Sequence, residues 1–217
     1  MALLSAKTRF EQNGLTVPFI TAWEFEKMLI PKLGIRVAPG GGAHLIFADE
    51  TATDRDEHGV LWARQGLARG QGKALFPDVH AYRQKRAMFD LLCQVCGGKT
   101  IEEDFDRQLY VMNSAKGLPI QEGELTTAPP VCRGCAPEAA VSCPRLKDRY
   151  VAAYAEWNHS WGVSGILINP RTLAPLSKDH TEVSFTDPRI KWVIANRSVN
   201  RLSGIRHADL QTFALAG

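Results

Sequence analysis

Two short cysteine-containing stretches decide how the middle of this chain folds: DLLCQVCGG at residues 90–98 and PPVCRGCAP at residues 129–137. Each stretch carries one Cys-x-x-Cys pair, Cys93 with Cys96 and Cys132 with Cys135. Two cysteines at this spacing around a tight turn direct both sulfurs to one point, and two such pairs supply the four thiolates of a tetrahedral zinc site. The spacing therefore predicts one structural zinc ion with no open coordination position.

The residues beside the two pairs predict a turn at the first pair and a helix at the second. Gly97 and Gly98 follow Cys96 and suit a turn that brings backbone amides towards the metal. Pro137 and Glu138 follow Cys135 and are residue types favoured in a first helical turn. Between the pairs, the pattern favours strands at 108–112 and 124–127.

A Cys-x-x-Cys-Gly turn, a hairpin and a helix that opens with Cys-x-x-Cys resemble the treble-clef zinc finger. The two cysteine stretches also resemble segments of uncharacterised actinobacterial and phage-linked zinc proteins. The treble-clef module serves many unrelated roles. The resemblance therefore implies a zinc-stabilised module in the middle of the chain, but no particular activity.

The same arrangement of cysteines frames the treble clef of His-Asn-His endonucleases, which need a histidine base in the hairpin. None of the six histidines lies between Cys93 and Cys143, so nuclease activity of that kind is not expected. An acidic run is an alternative set of magnesium ligands: Glu102, Glu103, Asp104 and Asp106. Adjacent acids on a strand point to opposite faces, which favours a solvated run over a metal site.

Cys143 and His80 are near the predicted zinc site in sequence but are not assigned to it. Four thiolates already complete a zinc coordination sphere, so neither residue is needed as a ligand. Cys143 is expected to be a small buried apolar residue, with a ligand or a reactive thiol as the alternatives. The sequence contains no nucleotide-binding loop or nucleophile elbow, so an enzyme of unrecognised type ranks behind a binding role.

The composition is that of an ordinary globular protein with one or two domains. The chain has 217 residues, of which 45% are hydrophobic and 23% charged. No apolar run approaches the roughly 18 residues that a membrane helix needs, and the N-terminal apolar stretch is too short for a secretory signal. We therefore expect a cytoplasmic protein without a membrane partner.

The predicted fold class is α+β, with three regions that are expected to form one unit. Residues 1–77 are expected to be β-rich, and residues 78–146 to form a helix followed by the treble-clef-like zinc module. Residues 147–217 are expected to form a β-hairpin and a C-terminal helix.

Individual elements follow from local signals. We expect a helix from Trp23 to Ile30 and a second helix that begins at Asp78 and runs into Cys93. The residues flanking Gly40, Gly41 and Gly42 predict a hairpin. A second hairpin is predicted at 150–169, with its turn at 158–160. Asp187 and Pro188 are expected to start the last helix, which Gly204 ends.

Basic residues suggest nucleic acid as a partner. Arg83, Lys85 and Arg86 lie on the helix before Cys93, and the segment 189–207 carries Arg197 and Arg201 with no acidic residue. Such stretches can follow a phosphate backbone, so DNA or RNA binding through these five residues is one hypothesis. The alternative is an accessory factor that binds another protein and in which zinc only stabilises the fold.

Overall fold

The computed structural model describes residues 9–101, 106–114, 118–144, 146 and 149–213. Strands make up most of the regular secondary structure of this part, and two α-helices accompany them, in agreement with the predicted α+β class. The first nine strands are β1 (Phe10–Gln12), β2 (Leu15–Val17), β3 (Thr21–Trp23), β4 (Met28–Leu29), β5 (Leu33–Val37), β6 (Ala43–Phe47), β7 (Leu61–Trp62), β8 (Arg64–Gln65) and β9 (Ala74–Val79). The remaining elements are α1 (Ala81–Phe89), β10 (Gln108–Asn113), β11 (Leu125–Thr126), α2 (Ala136–Ser142), β12 (Tyr150–Leu167), β13 (Thr181–Ser184) and β14 (Val193–His207). Single 3-10 turns lie at Ala52–Asp54, Pro188–Trp192 and Leu210–Phe213.

Within the described ranges, no helix is long and apolar enough to cross a membrane.

A six-stranded sheet forms the centre of the structure. Its order is β10-β12-β14-β11, with β13 paired to β12 and β7 paired in parallel to β14. The antiparallel pair β12–β14 is the longest, because its strands have 18 and 15 residues. Two glycines of β12 allow its neighbours to approach: a Cβ at Gly162 would lie 2.1 Å from the Val183 carbonyl oxygen, and one at Gly165 would lie 2.2 Å from that of Ile194.

The predicted C-terminal hairpin and helix are both wrong. Residues 158–160 do not turn, because β12 continues through them and His159 pairs with Arg201 of β14. Asp187 does accept a hydrogen bond from the Arg189 amide (2.8 Å), but only the short 3-10 turn follows. The chain then enters β14, where β-branched residues are held between two strands. Pairing with distant strands thus overrides the local turn and helix-start signals.

Predictions for the N-terminal half are partly confirmed. The hairpin around the glycine run is formed by β5 and β6, with Leu33 opposite Phe47. The helix predicted from Trp23 to Ile30 is wrong, since β3 and β4 occupy this segment. The next helix begins at Ala81 with His80 as its N-cap, because β9 continues past Asp78 to Val79. It ends at Phe89 and so does not run into Cys93.

Elements of the three predicted regions contact one another. The boundaries between the regions stay a prediction. Strand β7 comes from the first region and pairs with β14 of the third. Helix α1 meets β14 through Gln84, whose side chain is fully buried. The Gln84 Oε1 accepts from the Ser198 amide (2.8 Å), and its Nε2 donates to the carbonyls of Ser198 (3.0 Å) and Thr127 (2.8 Å). The Gln84 side chain thus makes the hydrogen bonds to the Ser198 backbone that a neighbouring strand would otherwise make to β14.

Replacing Gln84 with alanine should lower the free energy of unfolding by about 2–3 kcal/mol, since it leaves buried backbone groups without partners. The matched control is Tyr82→Ala, which truncates a side chain of the same helix that is 58% exposed and should change stability little. Urea unfolding of both variants at equal zinc loading measures the difference. Equal midpoints for the two variants would contradict the proposed role of Gln84.

Candidate metal centre

The four cysteines of the two pairs form one cluster. Their Sγ atoms all lie within 4.8 Å of one another, and the Cys96–Cys132 Sγ distance is 3.8 Å. A disulfide needs about 2.05 Å between sulfurs, so these are free thiols rather than a disulfide framework. The cluster joins two loops, one after α1 and one before α2, that are far apart in sequence.

The first loop is a tight knuckle that places Cys93 and Cys96 side by side. The Cys93 amide donates to the Gly98 carbonyl (2.7 Å), and the Gly97 amide donates back to the Cys93 carbonyl (2.8 Å). Gly97 has a φ of 74°, a left-handed conformation that favours glycine. The Gly98 amide also lies 3.4 Å from the Cys96 sulfur and donates to it. The turn predicted from Gly97 and Gly98 is therefore confirmed.

The second loop presents Cys132 and Cys135 at the start of α2. The amides of Cys135 and Ala136 both donate to the Cys132 carbonyl, each at 3.0 Å. Cys135 is the N-cap of α2, and Pro137 lies in its first turn, as the sequence predicts. The two loops are tied by their backbones, because the Gln94 amide donates to the Pro130 carbonyl at 2.9 Å.

The cluster is part of the hydrophobic core. Cys93 and Cys135 are buried, and Cys96 and Cys132 are half-buried. Apolar side chains of the sheet and of α2 pack around them: Leu109, Val111, Ala136, Ala140 and Ala152. A metal held at this point would therefore connect the two loops, α2 and the β10–β12 end of the sheet.

Arg9 places a positive charge beside the cluster. Its Nη2 donates to the Cys135 sulfur at 3.2 Å and to the Glu138 carboxylate at 3.3 Å. The bond to Cys135 raises the pKa of Arg9. Hydrogen bonds from Cys132 and Cys135 lower the pKa of Cys96, whereas the neighbouring sulfurs raise that of Cys132. Four close thiols cannot all ionise unless a cation offsets their charge.

The geometry fits one tetrahedral metal ion. Sulfurs bound to one ion at about 2.3 Å lie about 3.8 Å apart, which the Cys96–Cys132 pair already matches. All four donors come from the protein, which leaves no position for a substrate or an activated water. Cys143 lies outside the cluster as the C-cap of α2, and the Nε2–H of buried His80 donates to the Gly66 carbonyl oxygen (2.9 Å).

The hairpin expected between the cysteine pairs is not formed in the described part of this segment. Strand β10 pairs with β12, and β11 pairs with β14, so the two lie on opposite sides of the central pair. The knuckle and α2 are formed where the sequence predicts a turn and a helix, but the strands between them belong to the larger sheet. Of the acidic run, residues 102–104 lie outside the described residues, and Asp106 is exposed.

The structure separates the three basic residues of α1. Arg83 is only 6% exposed, and its guanidinium makes two hydrogen bonds of 2.6 Å to the buried Glu26 carboxylate. It also donates to the carbonyls of Phe19 (2.8 Å) and Thr21 (2.6 Å), so it cannot contribute to the predicted basic surface. Burial alone would raise the pKa of Glu26, but the hydrogen bonds and charge of Arg83, together with nearby His80 and the Ala68 amide, lower it overall.

Lys85 and Arg86 remain accessible. The Lys85 Nζ lies 4.6 Å from the centre of the Trp62 ring, and exposed Arg86 pairs with Asp90 at 3.1 Å. Both border a groove of about 890 Å³ that lies between α1 and β7–β8. The groove also contains acidic side chains, among them Asp54, so its charge is mixed.

Arg197 and Arg201 lie on β14 and not on the predicted helix. Arg201 is exposed, with its guanidinium carbon 5.9 Å from the centre of the Trp161 ring, and Arg197 is half-buried. The sequence interpretation missed the aromatic residues near Arg201 because it assigned residues 158–160 to a turn. The alternating pattern Trp157-x-His159-x-Trp161 was the signal that could have revealed one face of a strand.

No family model, curated protein or solved structure matches this chain. The resemblances to the treble clef and to actinobacterial and phage-linked zinc proteins therefore rest on the quoted motifs alone. The function has to be inferred from the cysteine cluster and from the surface of the described residues.

Replacing Arg83 with alanine should destabilise the protein by about 3–5 kcal/mol, because it leaves the Glu26 carboxylate buried without its partner. Arg86→Ala on the same helix removes an exposed ion pair and should cost less than about 1 kcal/mol. Thermal and urea unfolding of the two variants give the comparison. A stability loss for Arg83→Ala no greater than that for Arg86→Ala would refute the interpretation of this buried pair.

Proposed function

We propose that this protein is a zinc-stabilised, non-catalytic protein that associates with nucleic acid. Cys93, Cys96, Cys132 and Cys135 hold one zinc ion, which supplies a cross-link between the two cysteine loops and no reactive position. The closed set of four sulfurs inside the core is the observation that supports a structural role. Reduced thiols of this kind fit the cytoplasmic location that the sequence suggests. The treble-clef likeness applies to the knuckle and α2.

Nucleic-acid association is supported by cations that remain on the surface. Arg201 and Arg86 are exposed, and Lys85 is half-buried beside Trp62. None of the ion pairs between described residues involves Arg201 or Lys85. Cations without a protein carboxylate can neutralise phosphates and release counterions, which is the main source of affinity for nucleic acid. Arg197 lies on the same strand as Arg201 and adds to its positive field.

The second candidate function is that of an accessory factor that binds another protein. It is supported by apolar side chains around the β4–β8 ribbon, where Phe25 is 62%, Leu29 60% and Leu67 70% exposed. Clustered exposed apolar residues often mark protein-interaction surfaces. This function would leave the basic residues as ordinary solvated side chains.

The purified protein should contain one zinc ion per chain. Cys93→Ser and Cys132→Ser should lose the metal and lower the melting temperature, because metal binding and folding are coupled in such centres. Cys143→Ser is the matched control and should keep both properties, since Cys143 lies outside the cluster. Mass spectrometry after reconstitution with zinc measures the zinc content of the parent protein and of each variant. Absence of metal from the reconstituted parent protein would rule out the proposed centre.

If nucleic acid is the partner, the zinc-loaded protein should be retained on heparin and should shift DNA or RNA in a gel. Its affinity should fall steeply with salt, and each lost phosphate contact should reduce the salt slope by about 0.7–0.9. Lys85→Ala and Arg86→Ala together should reduce both quantities, whereas Arg171→Ala, which removes an exposed arginine of a turn, should not. If the parent protein binds neither DNA nor RNA, the result would favour the accessory-factor function.

A further inference from the structure

Three ring-bearing side chains occupy one face of β12: Trp157, His159 and Trp161. Trp157 and His159 are two residues apart in regular register with β14, so their side chains point the same way. Trp161 lies at a β-bulge between Ser160 and Gly162, and its ring is on the same side because the guanidinium carbon of Arg201, the residue opposite His159, lies 5.9 Å from its centre. The neighbouring strand contributes to the same face, because Ser203 lies opposite Trp157 and Arg201 lies opposite His159. We call these five residues the aromatic strip.

The rings of the strip face solvent. Trp157 is 60% exposed, His159 is exposed and Trp161 is half-buried. The Trp157 and His159 rings are nearly parallel, at 7° to each other, with their centres 6.2 Å apart. An exposed tryptophan on a flat sheet gains little for the fold, whereas its ring is available to stack on another flat ring.

The charge of the strip is positive. The Arg201 guanidinium lies beside the Trp161 ring at 5.9 Å and can reach a phosphate without leaving the strip. Glu156, the acid next to Trp157, points to the opposite face, where it pairs with Arg206 at 2.8 Å. The strip thus combines ring faces with a cation, and the Glu156 carboxylate does not face it. The carboxylate of Glu122 lies at the Ser203 end of the strip, where it accepts from the Gly204 amide at 3.0 Å.

The strip also adjoins a part of β12 that is open on its other side. Strand β10 pairs with residues 150–155 of β12, and β13 pairs with residues 162–165. Among the described strands, none pairs with residues 156–160 on that side. Within the described residues, the backbone of this part of β12 is therefore not paired with a strand on the side away from β14.

We propose that the aromatic strip binds single-stranded RNA. Unpaired bases stack on exposed aromatic rings, and the phosphates between them pair with arginine. A duplex keeps its ring faces stacked inside the helix and could use only Arg201. A neutral sugar could stack on the rings but would not use the cation. The Ser203 hydroxyl and the His159 ring nitrogens offer donors and acceptors for a ribose 2′-hydroxyl, which favours RNA over DNA.

This inference rests on the proposed association with nucleic acid and names its surface and its substrate class. It does not depend on the identity of the metal. The test therefore uses the full zinc-loaded chain and measures binding by the parent protein separately from the contribution of the strip.

The experiment measures fluorescence anisotropy of a labelled ten-nucleotide oligouridine, titrated with parent protein and with variants. Trp157→Ala and Trp161→Ala should each weaken binding about 10- to 100-fold, which corresponds to the loss of one stacked base. Trp157→Phe keeps a stacking ring and should retain most of the affinity. Phe76→Ala is the matched control, because it removes an aromatic ring that is 37% exposed on β9, outside the strip and outside the groove beside Lys85 and Arg86. Binding should also quench tryptophan fluorescence in the parent protein.

A second variant keeps the test valid if a tryptophan substitution impairs folding. Arg201→Gln leaves the strand register intact and should reduce the salt slope by about 0.7, whereas Arg201→Lys should retain it. Melting curves and zinc content verify that each variant is folded.

The outcomes separate the two proposals. If the parent protein binds oligouridine but the strip variants bind as well as Phe76→Ala, the strip is not the site and the proposed function stands. If duplex RNA binds more tightly than single-stranded RNA, the proposal that the strip is the site is overturned in the same way. If oligothymidine binds more tightly than oligouridine, the choice of RNA over DNA is overturned. If the parent protein binds no nucleic acid at any salt concentration, both proposals fail.

Discussion

The antiparallel pairing of β12 with β14 is the interaction on which the other elements depend. Their backbones are paired along most of their lengths, from Ala153 opposite His207 to Leu167 opposite Val193. Every other strand of the central sheet attaches to one of these two. Apolar residues of the pair also enter several core clusters, among them Val163, Ile194 and Leu202. The sheet thus gives the metal centre at one end, and the aromatic strip near the middle, a common rigid support.

The cysteine cluster and the sheet stabilise each other. Cys93 and Cys135 pack on Leu109 and Val111 of β10 and on Ala152 of β12, so the centre lies against the sheet rather than in a separate module. The Val131 amide donates to the Leu109 carbonyl at 2.8 Å, which fixes the second cysteine loop to β10. Loss of a metal from this position would therefore loosen the edge of the sheet as well as the loops.

The cysteine cluster could be predicted from the sequence because its signals are local. Cys-x-x-Cys spacing, Gly97 after the first pair and Pro137 after the second each act within a few residues. The long strands could not be predicted in this way. Their conformation is set by partners up to dozens of residues away, and the turn-like sequence at 158–160 is held straight by β14. The buried position of Arg83 likewise depends on Glu26, 57 residues earlier in the chain, which no helical pattern indicates.

The outer edge of β14 has a consequence for how this protein behaves among other copies of itself. Strand β7 covers Ile194 and Ala195, the Gln84 side chain covers Ser198, and β11 covers residues 200–201. The Glu122 carboxylate then accepts from the amides of Gly204 (3.0 Å) and Ile205 (3.2 Å). Short segments from separate parts of the chain thus occupy backbone hydrogen-bond donors and acceptors of β14 that a strand from another molecule would need. A long exposed edge invites strand addition and aggregation, and this covering blocks that route without a further full-length strand.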